Sequence, residues 1–377
     1  MVDPIVTAML RKAAFVALLP LLLASAAATP TAAEPVYAIA RCPGADLTAT
    51  MDPVRRLFSD HPETRAVMIV TGDCTALKAY APGYSDANRF ISWSMAKTVT
   101  AALVGEMVSD GRLQLDAPAP IAEWRQPGDP RGAITLRHLL QMSSGLAHLE
   151  VGDPVENSDT NQTLFVSHTG AMAAHAIAQP LATKPGSTFR YSSLTTIILA
   201  EIVARQLTNS RDPHERARIY TEFANERLFR PAGITSTVLE YDGAGTQIGG
   251  SIMHMNLPDW ARFGGLLLDG KATDGTQVIA PEWLAFMKTP SPTNPEYGGQ
   301  TWLNRQVGEG EVATLFPEQG MPGAVAANGH LGQLVIASPE TGPGRGTVIV
   351  RLGNTTDTLN KPLMRTMGQV LAGVEER

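Results

Sequence analysis

"FISWSMAKTVTAALVG", residues 90–105, sets a hydroxyl and an ammonium, Ser94 and Lys97, three residues apart in a run that is otherwise apolar or small. Three residues is close to one helical turn, so the two side chains share a face if the run is helical. Two readings compete. In the first, Ser94 caps the helix and Lys97 lays its stem on the core with its amine in water. In the second, the pair is buried because it performs chemistry. A Ser-x-x-Lys match is weak by itself, and the rest of the chain has to decide.

The run keeps helical spacing through Val99, Leu103 and Met107 and stops at Asp110-Gly111. Ser94 therefore falls at a predicted helix start, where backbone N–H groups are unpaired and the dipole favours negative charge. That position suits a nucleophile whose substrate develops an oxyanion.

With 377 residues the chain exceeds one typical core, which points to two subdomains or one large mixed domain. Its net charge of -6 offers no basic patch for nucleic acid, so a neutral or small polar substrate fits better than a polyanion. Arg11 and Lys12 precede an uncharged Ala/Leu-rich stretch, residues 13–28, and then small residues suited to a signal peptidase. We read residues 1–33 as an export signal, with Met9 an alternative start, and the mature protein as periplasmic or secreted without a stable membrane anchor. An uncleaved anchor is the competing reading, but the apolar stretch is short for a span and holds Pro20. Arg41 argues against lipidation of Cys42.

Two cysteines, Cys42 and Cys74, remain in the exported chain. In an oxidising compartment an even count suggests one disulfide tying the mature N-terminus to the first hairpin, at roughly 3 kcal/mol on loop-entropy grounds. Two buried free thiols are the alternative. With no nearby histidine and no Cys-x-x-Cys, thiol catalysis and zinc are poor expectations, and no metal or cofactor is expected.

Along the chain, "RAVMIV" (65–70) and "ALKAY" (76–80) predict an antiparallel hairpin. Thr135 is placed to cap a short helix, "LRHLLQMSSG", ending at Gly145, in which His138 reads as structural. Residues 148–185 have the texture of loops over a binding site. "YSSLTTIILAEIVARQL" starts a second strong helix just after Tyr191. Helices are predicted at 257–270 and 280–288, strands at 333–338 and 346–353, and a closing helix from Lys361 to the end. Strands at both ends with helices between predict an α+β fold. Its antiparallel sheet is flanked by helices and built from residues 34–111 and 246–377, with 112–245 an inserted, mostly helical domain.

The residues now resemble a family. Ser94-Met95-Ala96-Lys97, Tyr191-Ser192-Ser193 and His330-Leu331-Gly332 fall in the order of the three motifs of the penicillin-recognising serine hydrolases. "ITLRHLLQMSSGL", "DWARFGGLLL" and "GHLGQLVIASP" look like the class C beta-lactamase-related group, closest in texture to its 6-aminohexanoate-dimer hydrolase and esterase branch. The resemblance spans about residues 50–370. It implies a beta-lactamase/transpeptidase-like fold and an acyl-enzyme on Ser94. Lys97 would be the base, made available by burial, and Tyr191 the proton relay. The N–H groups of Ser94 and Gln333 would form the oxyanion hole, the latter placed by Gly332.

Two departures shape the expectation. Ser193 stands where beta-lactamases carry the asparagine of Tyr-x-Asn, and His330 where they carry the lysine of Lys-Thr-Gly. Neutral histidine predominates near pH 7, so recognition of a beta-lactam carboxylate is weakened. We therefore expect a serine hydrolase acting on a small ester, amide or short peptide, with His330 and Ser193 on the substrate or oxyanion side. The alternatives are a DD-peptidase or beta-lactamase acting on cell-wall peptide or antibiotic, and a non-catalytic cell-wall-peptide-binding module. Gly-x-Ser-x-Gly, His-Glu-x-x-His and a phosphate-binding glycine loop are all missing from the sequence. Trp93, Trp260 and Trp302 read as core residues or pocket walls.

Overall fold

Short apolar strands, buried on both faces, make the centre of the molecule. The structure, a computed structural model, describes residues 34–308 and 311–376. First come β1 (Val36–Ile39), β2 (Ala45–Asp46), α1 (Met51–Ser59), the hairpin β3 (Ala66–Thr71) and β4 (Cys74–Tyr80), β5 (Phe90–Ile91) and α2 (Met95–Ser109). The middle holds α3 (Leu136–Leu140), α4 (Asp159–Asn161), α5 (Met172–Ala178), α6 (Ser193–Leu207), α7 (Pro213–Ala224), β6 (Val238–Leu239) and β7 (Met253–Met255). Then follow α8 (Leu257–Asp269), α9 (Pro281–Met287), β8 (Trp302–Leu303), β9 (Val325–Gly329), β10 (Gln333–Ser338), β11 (Thr347–Leu352), α10 (Asn360–Ala372) and β12 (Glu375–Glu376).

Strands from the two ends of the chain meet in one sheet, in the order β1-β4-β3-β11-β10-β9-β8, with every pairing antiparallel. Successive residues point to opposite faces. Val67, Ile69, Leu334, Ile336 and Ile349 face the side covered by α1 and α10, where Leu57, Leu363 and Met367 join them. Met68, Val335, Val348 and Val350 face the other side, against Phe263 and Leu267 of α8 and the core that surrounds α2. The α+β architecture expected from the sequence is the one observed. The described residues form one compact unit.

Helices α2 and α6 pack side by side, and α2 also meets β9 and β10. Nearly every residue of both helices is buried, from Met95 to Met107 and from Ser193 to Ala204. A helix apolar all round belongs inside a domain. Lys97, in the first turn of α2, is 1% exposed, so the snorkelling reading of its amine is set aside.

Three boundaries differ from expectation by two residues or more. The Thr135-capped helix ends at Leu140, because Met142 turns the chain with φ +55° before Gly145 is reached. The closing helix ends at Ala372, and Glu375–Glu376 pairs as a strand with Ala45–Asp46. The second hairpin strand starts at Cys74, two residues early. Cys42 and Cys74 are joined, with Cα atoms 5.7 Å apart, which pins the segment before α1 to the hairpin. The expected export signal lies outside the described residues. Among those described, no helix is long and apolar enough to cross a membrane.

Candidate active site

Ser94 is the N-cap of α2 and the residue before it is strained. Trp93 has φ +42°, a region costly for a bulky side chain, and that turn delivers Ser94 to the helix start. As an N-cap, Ser94 keeps its N–H outside the helical hydrogen bonds, and its side chain does not cap the helix. Its hydroxyl is thus left for another partner.

That partner is Lys97. Its Nζ lies 2.8 Å from Ser94 Oγ, 2.8 Å from Ser193 Oγ and 2.6 Å from the Gly250 carbonyl oxygen. Burial pushes the Lys97 pKa down to about 8, opposed by the attraction of the Glu150 carboxylate. An amine with that pKa is partly unprotonated near neutral pH and can take a proton from a hydroxyl at this distance.

Tyr191, just before α6, completes the cluster. Lys97 Nζ sits 4.7 Å from the centroid of its ring. The ring stacks on Trp302 at 5.6 Å and meets Tyr297 edge-on at 5.8 Å. Burial, reinforced by Glu150, drives the phenol pKa far up, while the Ser94 hydroxyl pulls the other way. The phenol therefore keeps its proton at neutral pH and can donate it.

The third expected motif stands across from the helix start. An atom added at Gly329 would lie 2.3 Å from Ser92 O and 3.3 Å from Ser94 N, so only glycine allows β9 this close to the nucleophile turn. Gly329 pairs with Gln333, which brings the Gln333 end of β10 to the same place. The turn between them has Leu331 at φ +59° and Gly332 at φ +73°. Buried Arg351 on β11 donates to the carbonyls of Leu331 and Gly332, at 3.3 and 2.9 Å, and fixes that turn from beneath. The Gln333 side chain adds bonds to both the N–H and the carbonyl of Gly353. His330 is exposed, and its ring lies edge-on to Trp93 at 5.5 Å.

The structure thus brings together Ser94, Lys97, Tyr191 and Ser193, and sets the 330–333 turn against the Ser94 backbone. Ser193, expected on the substrate or oxyanion side, lies against Lys97. Phe165 touches Trp93, at 6.4 Å between centroids, so residues 148–185 do border the site. His138 is structural: its N–H and Nδ1 exchange hydrogen bonds with Thr135. Trp260 is core, whereas Trp93 and Trp302 are walls.

Sequence reasoning missed Glu150, Gly250 and Arg351. Glu150 accepts hydrogen bonds from the Ser193 N–H at 2.6 Å and the Ser193 hydroxyl at 2.7 Å. A single carboxylate in a loop has no motif to reveal it. Arg351 did leave a signal, a charge amid "GTVIVRLG", and so did the Gly249-Gly250 pair. Among the described residues, no group of three or more His, Cys, Asp or Glu could hold a metal ion. A separate cavity of about 430 Å³ beside α8 contains none of the Ser94 cluster; of its lining charges, Lys78 pairs with Asp86 and Arg345 with Asp73 and Asp269.

Comparison with known families settles the lineage: the beta-lactamase family model matches residues 54–372. The chain belongs to the beta-lactamase family. Among curated members of related sequence, the 6-aminohexanoate-dimer hydrolase of Paenarthrobacter ureafaciens is 26% identical over 268 residues, covering 67% of this chain and 63% of that one. A solved Bacillus anthracis structure with the provisional name 6-aminohexanoate-dimer hydrolase matches with TM-score 0.68 at 21% identity, covering 89% of this chain and 87% of its own. A family VIII carboxylesterase matches with TM-score 0.62 at 16% identity, covering 90% of this chain and 99% of its own. The fold, with its sheet and paired central helices, is therefore shared with solved structures named as a dimer hydrolase and as a carboxylesterase.

Proposed function

We propose that this protein is a serine hydrolase that cleaves an ester or amide bond of a small, largely uncharged substrate through an acyl-enzyme on Ser94. The observation that carries the reading is the 2.8 Å contact between Ser94 Oγ and a fully buried Lys97 amine of lowered pKa. A serine hydroxyl needs such a base to become a nucleophile. Lys97 takes the hydroxyl proton as Ser94 Oγ bonds to the carbonyl carbon. The N–H groups of Ser94 and Gln333 receive the oxyanion. Tyr191 donates a proton to the leaving alkoxide or amine as its bond to the carbonyl carbon breaks, and regains it from Lys97. Water then repeats the sequence on the acyl-enzyme and releases the acid.

Aromatic walls from Trp93, Phe165 and Trp302 favour an apolar acyl or alcohol group, and His330 in place of a permanent cation disfavours an anionic one. Names carried by relatives, a dimer hydrolase acting on an amide and a carboxylesterase, agree with both bond types. Export to an oxidising compartment fits the Cys42–Cys74 bond and the signal-like first residues.

The test is turnover of p-nitrophenyl acetate and butyrate, nitrocefin, D-alanine p-nitroanilide and the 6-aminohexanoate dimer, beside Ser94→Ala. Ser94-dependent ester or amide turnover with little on nitrocefin is expected. Equal rates in the two proteins would end the reading.

A further inference from the structure

Counting hydrogens around Lys97 gives Glu150 a task. The amine has three oxygen neighbours: Ser94 Oγ, Ser193 Oγ and the Gly250 carbonyl. A carbonyl oxygen can only accept. The Ser193 hydroxyl has a single hydrogen, and that hydrogen is committed to Glu150 Oε1 at 2.7 Å. Toward Lys97, Ser193 therefore offers only lone pairs. An unprotonated Lys97 has two N–H bonds and one lone pair, and both N–H bonds are claimed by Ser193 and Gly250. The lone pair has nowhere to face except Ser94. Resting on the reading of Ser94 as nucleophile, we infer that Glu150 is a positioning residue that acts through Ser193 to aim the Lys97 lone pair at the Ser94 hydroxyl.

The carboxylate is itself held in one orientation. Its other oxygen, Oε2, accepts from the Ser193 backbone N–H at 2.6 Å and from the Thr160 hydroxyl at 2.7 Å. The backbone N–H is a fixed donor, so the atom facing it has to be an oxygen. That constraint makes Glu150→Gln informative. The amide that replaces the carboxylate must keep its oxygen toward the N–H and turn its NH₂ group toward Ser193 Oγ. Ser193 would then accept from that amide and point its own hydrogen at Lys97, competing with Ser94 for the lone pair. One isosteric change would reverse the chain. The titratable groups that face Lys97 are Tyr191 from just before α6 and Glu150 from the 148–185 segment.

The experiment measures kcat and KM for p-nitrophenyl butyrate in the full mature protein and in Glu150→Gln, Ser193→Ala, Ser193→Asn and the Glu150→Gln/Ser193→Ala double variant. Thr160→Val serves as a control for loosening of the loop, and melting temperatures are recorded for each. In parallel, ε-¹³C-labelled lysine reports the titration of Lys97 in the resting protein, its signal assigned by loss in Lys97→Ala. We expect Glu150→Gln to lower kcat by roughly tenfold to a hundredfold with KM little changed. The double variant should be no slower than Ser193→Ala alone. Ser193→Asn, whose amide oxygen accepts from Lys97 and whose NH₂ donates to Glu150, should be faster than Ser193→Ala, and Thr160→Val should stay within roughly threefold of the parent. Loss of the carboxylate should also move the Lys97 midpoint to lower pH by roughly half to one unit.

Parent-like kcat in Glu150→Gln, or a loss that simply adds in the double variant with the Lys97 midpoint unmoved, would overturn the inference. If the parent shows no Ser94-dependent turnover, the functional reading fails. The lysine titration still decides then whether Glu150 acts on the amine.

Discussion

The floor of the site and the segment that crosses it follow opposite rules. The floor is α2 and α6, buried on all sides, with Ser94, Lys97 and Ser193 in their first turns. The crossing segment, residues 148–185, exposes Leu149, Val151, Val155, Phe165 and Val166. Its tie to the floor near Lys97 is polar: Glu150 to Ser193, and buried His148 to the hydroxyls of Ser192 and Thr195. Dense packing fixes side chains to fractions of an ångström, as an acid–base pair requires. The segment is anchored on α6 by the buried face of α5, but its exposed stretch before that helix tolerates change, as substrate selection requires. On the proposed reading, chemistry and selectivity fall to differently packed parts of the fold.

That contrast can be broken or sharpened by substitution. The largest effect belongs to the floor's functional atoms: Ser94→Ala and Lys97→Ala should each lower kcat/KM by roughly 10⁴-fold, with melting temperatures close to the parent. Next comes its packing. Leu199 of α6 is fully buried, and Leu199→Ala should cost about 2–5 kcal/mol in denaturant unfolding. Loss of the Cys42–Cys74 bond through a double serine substitution should cost about 3 kcal/mol while leaving kcat unchanged, because the bridge lies at the sheet end of the chain.

His148 offers a pH test of the joint between the two regions. Burial lowers its pKa to about 4, against an ordinary value near 6.5. Between those values the unfolded chain binds a proton that the folded one refuses. Stability should therefore fall as pH drops from about 6.5 toward 4, and His148→Gln should flatten that part of the unfolding curve. The smallest effect is reserved for the crossing segment. Phe165 is 54% exposed, so Phe165→Ala should leave the melting temperature alone while raising KM for butyrate over acetate esters several-fold. A Phe165 variant that unfolds, or a Leu199 variant that does not, would erase the distinction drawn here.

Much of the floor was legible in the sequence. Ser94 and Lys97 stand out because a hydroxyl and an ammonium interrupt a helix with no polar face, and the "QLVIAS" strand because its apolar run is unbroken. Both are local signals that burial imposes on composition. Glu150 was illegible for the opposite reason. Its partner Ser193 is 43 residues away, and one acid in a loop differs in nothing from its solvated neighbours until the chain is folded. The early end of α3 was hidden too, since it depends on Met142 turning with positive φ, and nothing in methionine announces that. Ser193 itself was picked out by its place in a motif, but its hydrogen-bond direction is set by a residue that no motif contains.

The most direct test of the central claim, that a buried lysine activates Ser94, is the rate of covalent labelling by a fluorophosphonate followed by intact mass as a function of pH. The account predicts one adduct per chain, located on Ser94, with a rate that climbs as Lys97 loses its proton around pH 8. An adduct elsewhere, no adduct, or a rate on Ser94 that ignores pH through that range would contradict it.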